Sequence, residues 1–217
     1  MRDDATIFGR PAQSYDASLS AGTPASEHSI HPSASSASSR ATSLPLTIRP
    51  MRRPDARAIS TWRYPGPYAV YNLNMRFPML VQQCLLFLGQ SVYFAAYAPT
   101  EAVARELPGG TQPSAAPLSG AGTLVGFYSF VPRGKIVDIG IAMRPDLTGR
   151  GLGLAFVLAG LEFASETFKP ATFRLDVAVF NLRARRVYER ARFRAVRTVY
   201  RRMRSQEYEC VEMVRDA

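Results

Sequence analysis

The stretch Thr148-Gly-Arg-Gly-Leu-Gly153 puts a glycine at 149, 151 and 153 and runs straight into an apolar segment that ends near Phe168. Glycine has no Cβ, so such a backbone either turns tightly or lets another group approach closely. The N–H groups that open the following helix have no intrahelical acceptor and sit at the positive end of its dipole. A strand-to-helix turn of this kind cradles a pyrophosphate. The bland alternative is a tight turn with close helix packing. Two other nucleotide loops do not fit. A P-loop needs Lys-Ser or Lys-Thr after its last glycine, where this chain has Leu154-Ala155. The dinucleotide fingerprint needs G-x-G-x-x-G, and the spacing here is G-x-G-x-G.

Other chemistries are excluded by what the chain lacks. Its 2 histidines, His28 and His31, both lie in a Ser/Ala-rich leader. Ser–His–Asp and Cys–His catalysis therefore have no base, and neither a structured zinc site nor any other metal is expected. Chemistry must come from carboxylates, tyrosines, backbone groups or a bound cofactor. Cys84 and Cys210 are far apart and form no CxxC, which reads as reduced thiols. Cys84 sits in an apolar run as a small buried hydrophobe. The formal net charge of +10 attracts anions: nucleic acid, anionic lipid or a phosphorylated cofactor. The longest apolar run, Met79–Leu88, is too short to span a bilayer. No signal peptide opens the chain, and Asp3, Asp4, Asp16 and Glu27 argue against a transit peptide, so a soluble cytoplasmic protein is expected.

The elements that must position the glycine turn follow from periodicity and punctuation. Residues 1–43, rich in Ser, Ala, Pro and Thr, cannot bury enough apolar area to order themselves and read as a disordered leader. One domain is expected over 44–217. Its first strand is Leu44–Arg49, followed by a short helix over 55–60 and an aromatic, proline-broken segment from Trp62 to Asn72. A helix is expected over 79–88, a strand over 91–98 and a Pro/Gly/Ala-rich loop over 99–122. Strands over 124–131 and 136–143 are joined by a tight turn at Arg133-Gly134. The apolar helix after Gly153 carries its apolar residues on more than one face, so a sheet must cover it. A strand over 172–180 alternates Phe173, Leu175, Val177 and Val179 against Arg174 and Asp176. Asn181 can cap a helix over 182–191, and strands over 194–203 and 208–214 close the chain. The mixture is α+β around one sheet.

Two segments in this order carry a family resemblance. Arg144-Pro-Asp-Leu-Thr-Gly-Arg-Gly-Leu-Gly153, after the strand Asp138-Ile-Gly-Ile-Ala-Met143, resembles the acetyl-CoA motif of the GNAT N-acetyltransferase superfamily, R/Q-x-x-G-x-G/A. Asn181-Leu-Arg-Ala-Arg-Arg-Val-Tyr188-Glu-Arg-Ala-Arg-Phe193 resembles the second family signature, N-x-x-A-x-x-x-Y-E-x-x-G-F. Thr148 stands where the family prefers Gln or Arg, and Arg192 where it usually has Gly. The resemblance spans roughly 44–214. It implies a single, mostly antiparallel sheet of six to seven strands with about four helices, splayed between the strands at 136–143 and 172–179, with acetyl-CoA wedged in the opening. Backbone N–H groups of the loop Thr148, Gly149, Arg150, Gly151, Leu152, Gly153 and Leu154 would then hold the pyrophosphate. Backbone groups of Ile141 and Met143 would pair with the pantetheine and polarise the acetyl carbonyl. Asn181 would touch the pantetheine arm, and Tyr188 would protonate the departing thiolate.

Chemistry agrees with the last role. A phenol of pKa about 10 is a suitable donor to a thiolate; a plain amphipathic helix residue is the competing reading. The attacking amine must be neutral, and Asp138 or relayed water is the candidate base, against a solvated strand-edge carboxylate. Arg183 and Arg186, three apart on one helix, can meet the 3′-phosphate of CoA, or belong to a solvated basic face. Trp62, Tyr64, Tyr68 and Tyr71 lie where this fold usually forms its acceptor wall and suit a small amine or a protein N-terminus, against core packing at the sheet's end as the competing reading. The expected function is acetyl transfer from acetyl-CoA to a primary amine of a small molecule or protein, by a monomer or homodimer. The competing classes are a nucleic-acid- or ribosome-associated protein using the arginine-rich C-terminal third, and an acyl-CoA-binding module without turnover.

Overall fold

The computed structural model describes residues 45–72, 93–106, 122–203 and 205–217. Seven strands form one sheet in the order β1-β2-β3-β4-β5-β7-β6. They are β1 (Thr47–Pro50), β2 (Tyr93–Ala98), β3 (Thr123–Arg133), β4 (Ile136–Met143), β5 (Thr172–Ala178), β6 (Arg194–Met203) and β7 (Gln206–Asp216). Four α-helices are described: α1 (Arg53–Ser60), α2 (Thr100–Glu106), α3 (Gly153–Phe168) and α4 (Leu182–Arg190). Every strand pair is antiparallel except β4 and β5, which α3 joins as a crossover.

Alternation along the strands sorts the two faces. Val137 and Ile139 of β4 and Phe173, Leu175 and Val177 of β5 point into a core with Phe156, Val157 and Leu161 of α3. Tyr128 of β3 is fully buried there, stacked on Phe156 at 4.7 Å, and its hydroxyl donates to Phe156 O at 2.7 Å. Gly160 makes room, since a Cβ at that position would lie 2.4 Å from Tyr128 Cε1. The opposite face is covered by α1 beside β2 and β3, where Asp55 is fully buried. Its carboxylate takes two bonds from Arg49, at 2.9 and 3.1 Å, one from the Tyr97 hydroxyl, and the Arg52 N–H at 2.8 Å. A buried acid so fully partnered ties α1 to β1 and β2.

The parallel pair is short. β4 and β5 are in register only at Ile136↔Thr172, Val137↔Phe173 and Asp138↔Arg174. Beyond that point β4 continues against β3 to Met143↔Gly126, and β5 against β7 to Ala178↔Cys210. The sheet forks, and the glycine loop and α4 lie at its open end.

Several expectations need correction. The first strand starts at Thr47 rather than Leu44 and runs to Pro50. The stretch 99–122 is not all loop, because Thr100–Glu106 is helical with Val103 buried. The β3–β4 turn falls on Gly134-Lys135, one residue later than the sequence indicates, with Gly134 at φ 62°. The strand expected over 172–180 ends at Ala178, and its last two residues turn into the cap of α4. The helix expected over 79–88 and the leader lie outside the described residues. Asn181 does cap α4, its Oδ1 accepting from Ala184 N at 3.2 Å. Arg192 ends that helix at φ 69°, holding the left-handed turn without glycine.

Two stability measurements follow. Gly160→Ala must push the Tyr128 ring off its hydrogen bond; urea unfolding should show a loss of about 1–3 kcal/mol. Arg192→Gly removes a side chain from a left-handed C′ position and should raise stability by about 0.5–1 kcal/mol.

Candidate active site

A cavity of about 1210 Å³ fills the fork. Its first wall is the edge of β4 left unpaired once β5 departs. Arg144 N–H donates to Val125 O at 2.8 Å, toward β3. Amide directions alternate along a strand, so the peptide groups of Ile141 and Met143 point the other way, into the gap. Met143 C=O confirms this by accepting the Tyr64 hydroxyl at 2.7 Å.

The glycine loop forms the second wall. Gly149 and Gly151 sit at φ 79° and 81°, a region that favours glycine, and nothing lies within 4 Å of where their Cβ atoms would be. Gly153 is different: its Cβ would meet Val187 Cγ2 at 3.1 Å, so it serves the packing of α3 on α4. The first hydrogen bond of α3 is Phe156 N to Leu152 O, and no side chain caps the helix. The N–H groups of residues 153–155 therefore have no helical acceptor and open toward the loop. Two left-handed glycines with clear space above them, beside an uncapped helix end, fit the pyrophosphate of a CoA thioester.

The third wall is aromatic. The segment from Trp62 to Asn72 closes on itself, Asn72 accepting from Tyr64 N and donating to Tyr64 O at 3.3 Å. The 3-10 turn Gly66–Tyr71 then lies against α4. The Arg183 guanidinium stacks 4.0 Å over the Tyr68 ring, and Asn181 Nδ2 reaches the Tyr71 hydroxyl at 3.4 Å. Tyr188 meets Phe193 edge to face at 5.9 Å. Its hydroxyl has no hydrogen-bond partner among the described residues, whereas those of Tyr64 and Tyr71 are engaged. Burial pushes the Tyr188 phenol up, with Tyr71 adding, so it stays protonated. Cys210 also lines the cavity, and burial, helped by Asp176, pushes its thiol up to about 11. It is a poor nucleophile at neutral pH.

Of the residues singled out in the sequence, the fork gathers Asp138, Ile141, Met143, Thr148, Gly149, Gly151, Gly153, Leu154, Asn181, Arg183, Arg186, Tyr188, Trp62, Tyr64, Tyr68 and Tyr71 around one cavity. Two do not line it. Leu152 is buried in the core, and the Arg150 side chain folds back so that Nε donates to Asp146 O at 2.6 Å. Both contribute at most backbone groups. Asp138 lines the cavity but is occupied: Arg133 Nε binds it at 2.7 Å, and Arg174 binds both oxygens at 2.6 and 3.0 Å. That geometry makes it the pin at the base of the fork rather than a free base.

Sequence reasoning missed the floor of the cavity. On the face opposite α3, Asp138 and Arg174 are followed by Asp176 with Arg201 at 2.6 Å, and Glu212 with Arg197 at 3.1 and 3.0 Å. The polar alternation of β5 was the available signal, but the partners on β6 and β7 are remote in sequence.

The sequence profile described as an acetyltransferase (GNAT) domain matches residues 46–194. No curated protein matches the sequence. The fold is shared with solved structures of low identity. A spermidine N-acetyltransferase from Vibrio cholerae, in complex with CoA and spermine, is 15% identical; the match covers 79% of this chain and 95% of that one at a TM-score of 0.58. A GNAT-family acetyltransferase from Bacillus anthracis is 14% identical, covering 79% and 94% at a TM-score of 0.56. With the forked sheet, the left-handed glycine loop and a family match over more than half its length, the chain belongs to the GNAT acetyltransferase family.

Proposed function

We propose that the protein transfers an acetyl group from acetyl-CoA to a primary amine by direct attack, with both substrates bound together in the fork. The observation that carries this reading is Tyr188, a protonated phenol with an unengaged hydroxyl on the wall of the cavity that the β4 edge also lines. Acetyl-CoA supplies the activated thioester. The loop at Gly149 and Gly151 and the N-terminus of α3 hold its pyrophosphate. Arg186 is exposed at the cavity edge, without a partner among the described residues, and is placed for the 3′-phosphate. The peptide groups of Ile141 and Met143 align the arm and polarise the carbonyl. Tyr64 occupies one of the two acceptor sites of Met143 C=O, which leaves the other for the arm.

Proton traffic divides between Tyr188 and water. As the N–C bond forms and the C–S bond breaks, Tyr188 Oη gives its proton to sulfur and regains one from solvent. The amine loses its proton to water, because Asp138 is committed to two guanidiniums. A cysteine relay is disfavoured by the raised Cys210 thiol. Two arginines of the arginine-rich third, Arg197 and Arg201, are paired with acids that line the cavity.

Calorimetric titration of acetyl-CoA into the full chain should give saturable binding near one site that survives high salt. Loss of all binding at both salt concentrations would sink the reading. Tyr188→Phe should lower kcat by about 10²–10⁴-fold with acetyl-CoA affinity kept. The raised phenol also sets the pH profile: the donor form persists up to and beyond pH ~10, the ordinary phenol value. Any loss of kcat from its ionisation should therefore fall above that pH, and the acid limb should report the amine. A Tyr188-dependent decline centred near neutrality would contradict the assignment.

A further inference from the structure

We propose that the amine acceptor carries a carboxylate beside its amine, and that Arg174, Arg197 and Arg201 on the cavity floor hold that carboxylate. The inference rests on the acetyltransferase reading above and names the substrate class for it.

The floor lies on the sheet face opposite α3, the helix whose N-terminus marks the cofactor side. It is therefore the side left for the acceptor. Its residues come from adjacent strands at matched heights. Asp176 on β5 is level with Glu212 on β7, and Glu212 is level with Arg197 on β6. Arg174 sits two residues back along β5 on the same face, and Arg174 and Arg197 are close enough to sense each other's charge.

Every carboxylate paired on this floor is already taken. Asp138 is held by Arg133 and Arg174, Asp176 by Arg201, and Glu212, only 6% exposed, by both arms of Arg197. Asp138 and Glu212 are bound at both oxygens, so a cationic acceptor such as a polyamine would reach only Asp176 Oδ1 and the exposed Glu207 without displacing a guanidinium. It would also meet unfavourable charge, because eight arginines but only four carboxylates line the cavity among the described residues.

The guanidiniums, by contrast, are not exhausted. Arg174 and Arg197 each bind their acid side-on through Nε and Nη2, which leaves Nη1. Arg201 uses Nε alone on Asp176. Guanidinium donors fixed in place by buried or half-buried acids form a preorganised seat for a planar anion, and carboxylate fits that fork. The seat and the edge of β4 at the gap line the same cavity.

The test compares acceptors that differ only in the anion. The full chain with acetyl-CoA is assayed by thiol release on glycine against glycinamide, glutamate against its α-amide, and spermidine. A third arm uses short peptides that begin with aspartate. The expected result is a kcat/KM for each acid at least roughly tenfold above its amide, with spermidine lowest. That result would be notable because the amides carry the less basic amine. In the double variant Arg197→Gln/Glu212→Gln, which keeps a hydrogen-bonded pair but removes both charges, the advantage of acid over amide should shrink. Peptides outrunning the free amino acids would place the carboxylate on a protein N-terminus, and the reverse would place it on a metabolite; both support the seat. Equal turnover of acid and amide, preference for spermidine, or no turnover of any member by protein that binds acetyl-CoA would overturn the inference while leaving the cofactor site intact. Failure to bind acetyl-CoA would instead remove the acetyltransferase reading, and this inference with it.

Discussion

β4 and β5 share only three residue pairs before they part, and the rest of the molecule is arranged around that separation. A strand edge buried without partners is costly, since each peptide N–H and C=O loses its hydrogen bonds to water. The edge of β4 past Asp138 instead stays largely half-buried and open to the cavity, so its hydrogen-bonding demand is left to whatever fills that space. Tyr64 answers part of it at Met143 O, and the reading proposed here lets a pantetheine arm answer the rest. The crossover helix α3 closes one face behind the gap, and its uncapped N-terminus and the left-handed glycines at 149 and 151 finish the open end.

Charge holds the fork at its base and lines its floor. The Asp138 carboxylate joins Arg174 across the last paired position, while Arg133 binds it from the end of β3. Such pairs are weak evidence for stability, because desolvation offsets much of the attraction. Their geometry matters more, since side-on pairing fixes each guanidinium and leaves further donors free. Four of the chain's arginines thus have a defined place, Arg133, Arg174, Arg197 and Arg201 being paired with acids that line the cavity.

The aromatic segment joins the two sides. Trp62 packs near Phe127 of β3 at 6.3 Å, whereas Tyr68 and Tyr71 contact Phe180 at the end of β5, each at 6.2 Å. Tyr64 bonds β4 and Tyr71 contacts Asn181. The segment bridges the fork as well as walling it.

The sequence by itself determined the local chemistry. Alternation in Thr172–Ala178, the Asn181 cap and the glycines at 149 and 151 are short-range features, governed by side-chain period, a single hydrogen bond or one backbone angle, and they could be read from neighbouring residues. Where such signals were weak, boundaries moved, as at the helix Thr100–Glu106 hidden in a small-residue stretch. Tertiary structure alone decided which of two glycine roles each position plays, turning Gly153 to packing against Val187 while 149 and 151 stay open. It also decided the fate of Asp138, which from its strand position reads equally as base or solvated acid, but meets Arg174 36 residues away. The cavity floor was illegible for the same reason. Pairing of Arg197 with Glu212 and of Arg201 with Asp176 depends on strand order and register, and these are set by the whole sheet rather than by any one segment.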